Sequence, residues 1–177
     1  MNNKFLETKE LILEPLESKH LTTEYTAWLN DKDTTKYNSH GIYPNTYIKT
    51  KEYINSTQSS KTEIALAIIQ KKSLKHIGNI SISSIDFINS NADIGIVIGN
   101  KNSNSKGYAT QAFNAIILHC FNKLNLHKVT AGTTSDNIAM QKILENLNME
   151  KEAILKEQIQ RDNVFVDIYK YGLINKN

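Results

Sequence analysis

Apolar and polar positions follow two rhythms along this chain, with a change near residue 100. Before it, the apolar residues fall in short runs or alternate with polar ones, as half-buried strands require. Glu10-Leu-Ile-Leu-Glu-Pro-Leu16 predicts a strand closed by a proline. Ser18 then caps a predicted helix running to about Trp28, residues 30–43 form a loop, and Pro44 enters a second helix ending near Ser56. Ile64 to Ile69 and His76 to Ile85 predict an antiparallel hairpin turning at Lys71–Lys75, and Asp93-Ile-Gly-Ile-Val-Ile-Gly99 a further strand. After residue 100 the period changes. Ala109, Ala112, Phe113, Ile116, Ile117, Cys120, Phe121 and Leu124 form one unbroken helical stripe, which Asn125 closes. Lys128 to Gly132 predicts a strand parallel to 93–99, since a crossover helix joins them. A shorter helix from Asn137 follows, carrying Met140, Ile143, Leu144 and Leu147. Strands at 150–158 and 164–174 end the chain, turning at Arg161-Asp-Asn163. The order β-α-α-β-β-β-α-β-α-β-β predicts an α/β (α+β) fold, a mixed sheet of about seven strands with helices on both faces.

Composition narrows the function classes. The 177 residues predict one domain, 1–177, large enough to fold without staples. Lys and Arg total 21 against 18 Asp and Glu, a net +3 spread along the chain, and Arg161 is the only arginine. Nucleic acid is therefore not expected as a partner. Cys120 is the only cysteine, so a disulfide framework and a cysteine zinc cluster within one chain are excluded. The histidines lack metal-ligand spacing, and no metal is expected. Met1 to Glu10 does not read as a signal peptide, and no apolar run approaches the roughly 20 residues that cross a bilayer. The expectation is a cytoplasmic protein that does not engage membranes.

The strand at 93–99, the polar loop at 100–106 and the helix entered at Gly107 carry the most chemistry. A long helix leaves its first N–H groups unpaired and positive, and a glycine there lets a phosphate approach the backbone. Ser105-Lys-Gly-Tyr-Ala109 matches neither the P-loop nor the dinucleotide-binding glycine pattern.

Asp93-Ile-Gly-Ile-Val-Ile-Gly99 followed by Lys106-Gly-Tyr-Ala-Thr-Gln-Ala112 resembles the acetyl-CoA motif of the GNAT N-acetyltransferases. Asn125-Leu-His-Lys-Val129, Asp136-Asn-Ile-Ala139 with Ile143-Leu-Glu-Asn-Leu-Asn-Met149, and Val166-Asp-Ile-Tyr-Lys-Tyr-Gly-Leu173 resemble later blocks of that superfamily, most closely its RimJ/RimL-type branch. The likeness runs from about Thr8 to Leu173. It implies the GNAT fold, splayed between its fourth and fifth strands, and acetyl-CoA as acetyl donor. The pyrophosphate would rest on backbone N–H groups of Asn104, Ser105, Lys106, Gly107, Tyr108, Ala109 and Thr110. The pantetheine arm would lie along Ile96, Val97 and Ile98, and Asn137 would meet the cofactor. Asn104 and Ser105 stand where the family usually carries Gln or Arg and often Gly; Asn104 is expected to take the left-handed backbone.

The resemblance implies direct attack of a neutral primary amine on the thioester, with a base to take its proton. Asp93 matches an acidic family position and is the expected base, with Asp86 and Asp167 in reserve. The family's proton donor to the thiolate is absent: Leu144 and Met140 replace its Tyr and Ser, leaving Tyr108, Thr133 and Ser135 unranked. His40, Trp28 and Tyr37 are expected to border the acceptor. A small amine or amino sugar, a protein N-terminus and a polyamine compete as acceptor. Residues 1–60 carry seven Lys and eight acids, 7 − 8 = −1, leaving 3 + 1 = +4 for the remainder, which favours an anionic acceptor. A catalytically silent CoA-binding module is the alternative, and a homodimer stays open.

Overall fold

The computed structural model describes residues 4–176. Eight strands form one sheet in the order β1-β2-β3-β4-β5-β6-β8-β7. They are β1 (Leu6–Glu7), β2 (Leu11–Pro15), β3 (Ile64–Gln70), β4 (Lys75–Asp86), β5 (Asn91–Ile98), β6 (Lys128–Thr134), β7 (Glu150–Arg161) and β8 (Val164–Ile174). The helices are α1 (Thr23–Asn30), α2 (Tyr47–Ser59), α3 (Tyr108–Asn122) and α4 (Ile138–Asn146). The expected strands are present, and the two-residue β1 adds an eighth. All pairings are antiparallel except β5 with β6.

Strand alternation sorts the core into two layers. On β3, Leu66 and Ile68 join the layer under α3 with Phe113, Ile116, Ile117 and Cys120. Ala65, Ala67 and Ile69 face the other way and join Tyr25, Trp28, Leu29 and Ile54 of α1 and α2. The unbroken apolar stripe accounts for α3 directly. Its C-terminal exit follows from Asn125, which adopts a left-handed φ of 53°.

Both early helices begin later than the sequence predicts. Glu17 and His20 exchange bonds around a 3-10 turn at Ser18–His20, so α1 waits for Thr22, whose Oγ1 accepts from Tyr25 N–H. Pro44 lies outside α2; Thr46 caps it instead, accepting from Lys49 N–H. Asn45 between them is spent on the loop, its Nδ2 donating to Leu29 O at 2.9 Å and His40 O at 2.7 Å. Arg161 ends β7, and the turn narrows to Asp162 and Asn163, both left-handed as a two-residue hairpin turn demands.

His76, at the start of β4, packs among Trp28, His20 and Tyr25, with ring centroids 5.1, 5.2 and 5.5 Å away. Its Nε2 donates to Asn79 Oδ1 at 2.9 Å. Burial pushes its pKa from 6.5 down to about 4. Between those values the unfolded chain binds a proton that the folded one refuses. Stability contributed at this site therefore falls as pH drops below 6.5 and stops falling below about 4. At roughly 1.4 kcal/mol per pKa unit the loss amounts to about 3 kcal/mol. Urea denaturation across this range should show a steeper acid loss for the native chain than for His76→Gln; identical slopes would reject the assignment.

Candidate active site

Parallel pairing of β5 with β6 covers Asn91–Lys128, Ala92–Val129 and Asp93–Thr130, and then stops. Beyond that point β5 stays paired to β4 as far as Ile98, and β6 to β8 as far as Thr134. The two inner edges therefore part, leaving backbone groups of Ile94–Ile98 and Ala131–Thr134 facing a gap. Asp93 sits at the fork. Its Oδ2 accepts from Thr130 Oγ1 at 2.8 Å and from Lys170 Nζ at 3.3 Å, joining β5, β6 and β8.

A cavity of about 540 Å³ opens from this gap. Ile96, Val97, Ile98 and Asn137 line it, with Thr133 and Met140 opposite. The α1–α2 segment supplies the remaining wall through Tyr37, His40, Lys49 and Tyr53. Asn137 caps α4 through its Oδ1, which accepts from Met140 N–H at 3.3 Å. His40 is exposed, and desolvation at the mouth of the cavity shifts its pKa downward from the usual imidazole value.

Before α3 the backbone turns left-handed twice, at Ser105 (φ 59°) and Gly107 (φ 74°). Alternating turns of this kind point successive N–H groups at one spot. Among the described residues the N–H groups of 105–110 have no protein partner. A Cβ on Gly107 would meet nothing within 4 Å, so the glycine supplies its φ and keeps the helix entrance open. The 15-residue α3 adds the positive end of its dipole. Donors without partners, open approach and positive potential suit a phosphate; the free β5 edge suits an extended amide chain.

Two expectations need correction. Asn104 is extended (φ −68°, ψ 153°), and Ser105 takes the left-handed turn, because the 3-10 turn at Lys101–Ser103 needs an extended exit. Trp28 does not line the cavity. It is 7% exposed, packed on Tyr25 and His76, and its indole fills the space a Cβ on Gly99 would need. Asp93, the expected base, lies outside the lining, held by Thr130 and Lys170. Asp86 and Asp167 are structural acceptors, taking Ile88 and Asn89 N–H and Glu157 N–H respectively. Tyr108 points its hydroxyl at Gln70, 2.6 Å away, leaving Thr133 as the one named hydroxyl that reaches the cavity. Tyr25, Lys49, Tyr53 and Asn79 also line it, and no motif in the sequence marks them. For Lys49 and Tyr53 the signal existed: they lie on one face of α2, four residues apart.

The acetyltransferase (GNAT) domain family matches residues 10–150. The chain belongs to the GNAT acetyltransferase family. It is 27% identical over 169 residues to the uncharacterized N-acetyltransferase YnaD of Bacillus subtilis, with 96% of each chain covered. It is 27% identical over 175 residues to the uncharacterized N-acetyltransferase p20 of Bacillus licheniformis, covering 97% of this chain and 96% of that one. The fold matches that of spermidine N-acetyltransferase from Vibrio cholerae, solved with CoA and spermine (TM-score 0.85, 20% identity, 94% and 96% covered). It also matches a GNAT-family acetyltransferase from Bacillus anthracis (TM-score 0.81, 23% identity, 96% and 97% covered). This GNAT protein is thus an N-acetyltransferase, with Leu144 fully buried and unable to donate a proton.

The GNAT loop carries one testable strain. A non-glycine residue in the left-handed region costs roughly 1–2 kcal/mol, part of which glycine gives back as unfolded-state entropy. Ser105→Gly should raise unfolding free energy by up to about 1 kcal/mol in urea titration. A loss of stability would show that the Ser105 hydroxyl holds the loop.

Proposed function

We propose that the enzyme transfers the acetyl group of acetyl-CoA to a primary amine in the cavity, the acceptor being a small amine or amino sugar or a protein N-terminus. The observation that carries the donor is the row of unpartnered N–H groups at 105–110 beside the free edge of β5. The neighbour solved with CoA supports it. Backbone donors of 105–110 would hold the pyrophosphate, Ile96–Ile98 the extended arm, and the Asn137 side chain the slot between. The thioester supplies an activated acyl carbon. Amide N–H groups on the open edge of β5 are placed to stabilise oxyanion charge.

An attacking amine must be neutral, and its proton must leave as the C–N bond forms and the C–S bond breaks. His40 is the cavity-lining group suited to accept it, its imidazole neutral at pH 7 and free of protein hydrogen bonds at the ring. Asp93 is better placed to hold the strand fork than to take a proton. Thiolate is a tolerable leaving group near neutral pH, so Thr133 or water suffices where a tyrosine is missing.

Two variants test this reading. Gly107→Val forces a β-branched residue into φ 74° and fills the helix entrance. Calorimetry should register loss of acetyl-CoA binding while the thermal transition persists; native affinity would reject the phosphate site. His40→Gln should lower kcat by about 10²-fold with acetyl-CoA affinity kept, and remove the acid limb of the pH–rate profile. An unchanged profile would return the role of base to Asp93, for which Asp93→Asn is the paired control.

A further inference from the structure

We propose that the acceptor amine carries an anionic group, a carboxylate or phosphate, and that Lys49 binds it. The proposal rests on the acetyl-transfer reading and concerns its other substrate. No aspartate or glutamate lines the cavity, whereas Lys49 does. Lys49 Nζ approaches Pro44 O at 3.4 Å and forms no ion pair among the described residues. It stands in the first turn of α2, which holds no acidic residue and where the helix dipole disfavours a cation.

Nearby carboxylates are committed elsewhere. Asp31 and Asp33 hold Lys101 at 3.1 and 2.7 Å, and Asp136 holds Arg161 at 2.6 Å. Glu63 sits behind the wall, accepting from Tyr53 Oη at 3.0 Å. Glu24 and Glu52, on the same helices, do not line the cavity. Tyr37, one of the aromatic rings that line the cavity, already has Lys36 Nζ at 4.9 Å and Arg161 Cζ at 5.3 Å. A polyamine would bring several positive charges to a lysine, in a lining that offers no carboxylate among the described residues. An anionic amine presents its ammonium, once neutralised, toward His40 and its acid group toward Lys49.

The test measures thiol release with saturating acetyl-CoA, using glucosamine 6-phosphate against glucosamine, 4-aminobutyrate against its amide, and spermidine. At least one anionic member should exceed its uncharged counterpart by about tenfold in kcat/KM, with spermidine below both. The pair that responds tells phosphate from carboxylate. Lys49→Gln should erase that preference through KM, and Lys49→Arg should restore it. Wild-type protein that binds acetyl-CoA but prefers spermidine, shows no anionic preference, or turns over none of the panel overturns the assignment, as does a preference that survives Lys49→Gln. Failure of the wild type to bind acetyl-CoA would instead remove the transfer reading itself.

Discussion

The separation of β5 from β6 is the constraint on which the site depends. Two adjacent strands that stop pairing leave backbone donors and acceptors unmet inside a sheet, a cost most folds avoid. Here the outer edges stay fully bonded, β5 to β4 and β6 to β8, so the strands remain rigid while their inner edges open. The fork needs a pin, and Asp93 supplies it by meeting Thr130 and Lys170 across three strands. The parted edges open both the gap between the strands and the cavity beyond it.

The helix that follows the slot couples this opening to the core. Phe113, Ile116, Ile117 and Cys120 anchor α3 against the sheet, and its N-terminus is thereby aimed at the end of β5. The unpartnered N–H groups of 105–110 take their direction from the left-handed turns at 105 and 107, and little from side-chain charge. A chain with a single arginine can build such a site. Serine at 105 costs conformational energy, because it holds a left-handed φ that glycine takes freely.

Much of this was legible because it rests on periodicity. The α3 stripe, the alternation in β4 and the apolar run of β3 fix their elements through burial, and the parallel β5–β6 pair follows from the crossover between them. Asn137 and Ile96–Ile98, which the motif singles out, line the cavity. What failed rests on contacts between distant segments. Ser18 loses the α1 cap because Glu17 and His20 bind each other, and His20 also meets Glu14 at 2.8 Å. Trp28 reads as an acceptor contact from its loop-edge position, but Gly99, seventy residues on, leaves it a space in the core. The contact of Asp93 with Lys170, which arrives from β8, is likewise one that the motif around Asp93 does not carry. No local pattern encodes such meetings.

The two halves of the site accordingly obey different rules. The donor side is backbone geometry held by an apolar core, tolerant of side-chain change wherever φ is respected. The acceptor side is side chains on a polar segment tied down by polar contacts: Asn45 to Leu29 and His40, Lys101 to Asp31 and Asp33, Arg161 against Tyr37. Each tie is worth little alone when exposed. Together they hold the segment that carries Tyr37, His40 and Lys49 at the cavity. Tyr37, His40 and Lys49 lie outside both core layers, so substitution at any of them can reshape the cavity while the packing that holds the sheet stays intact.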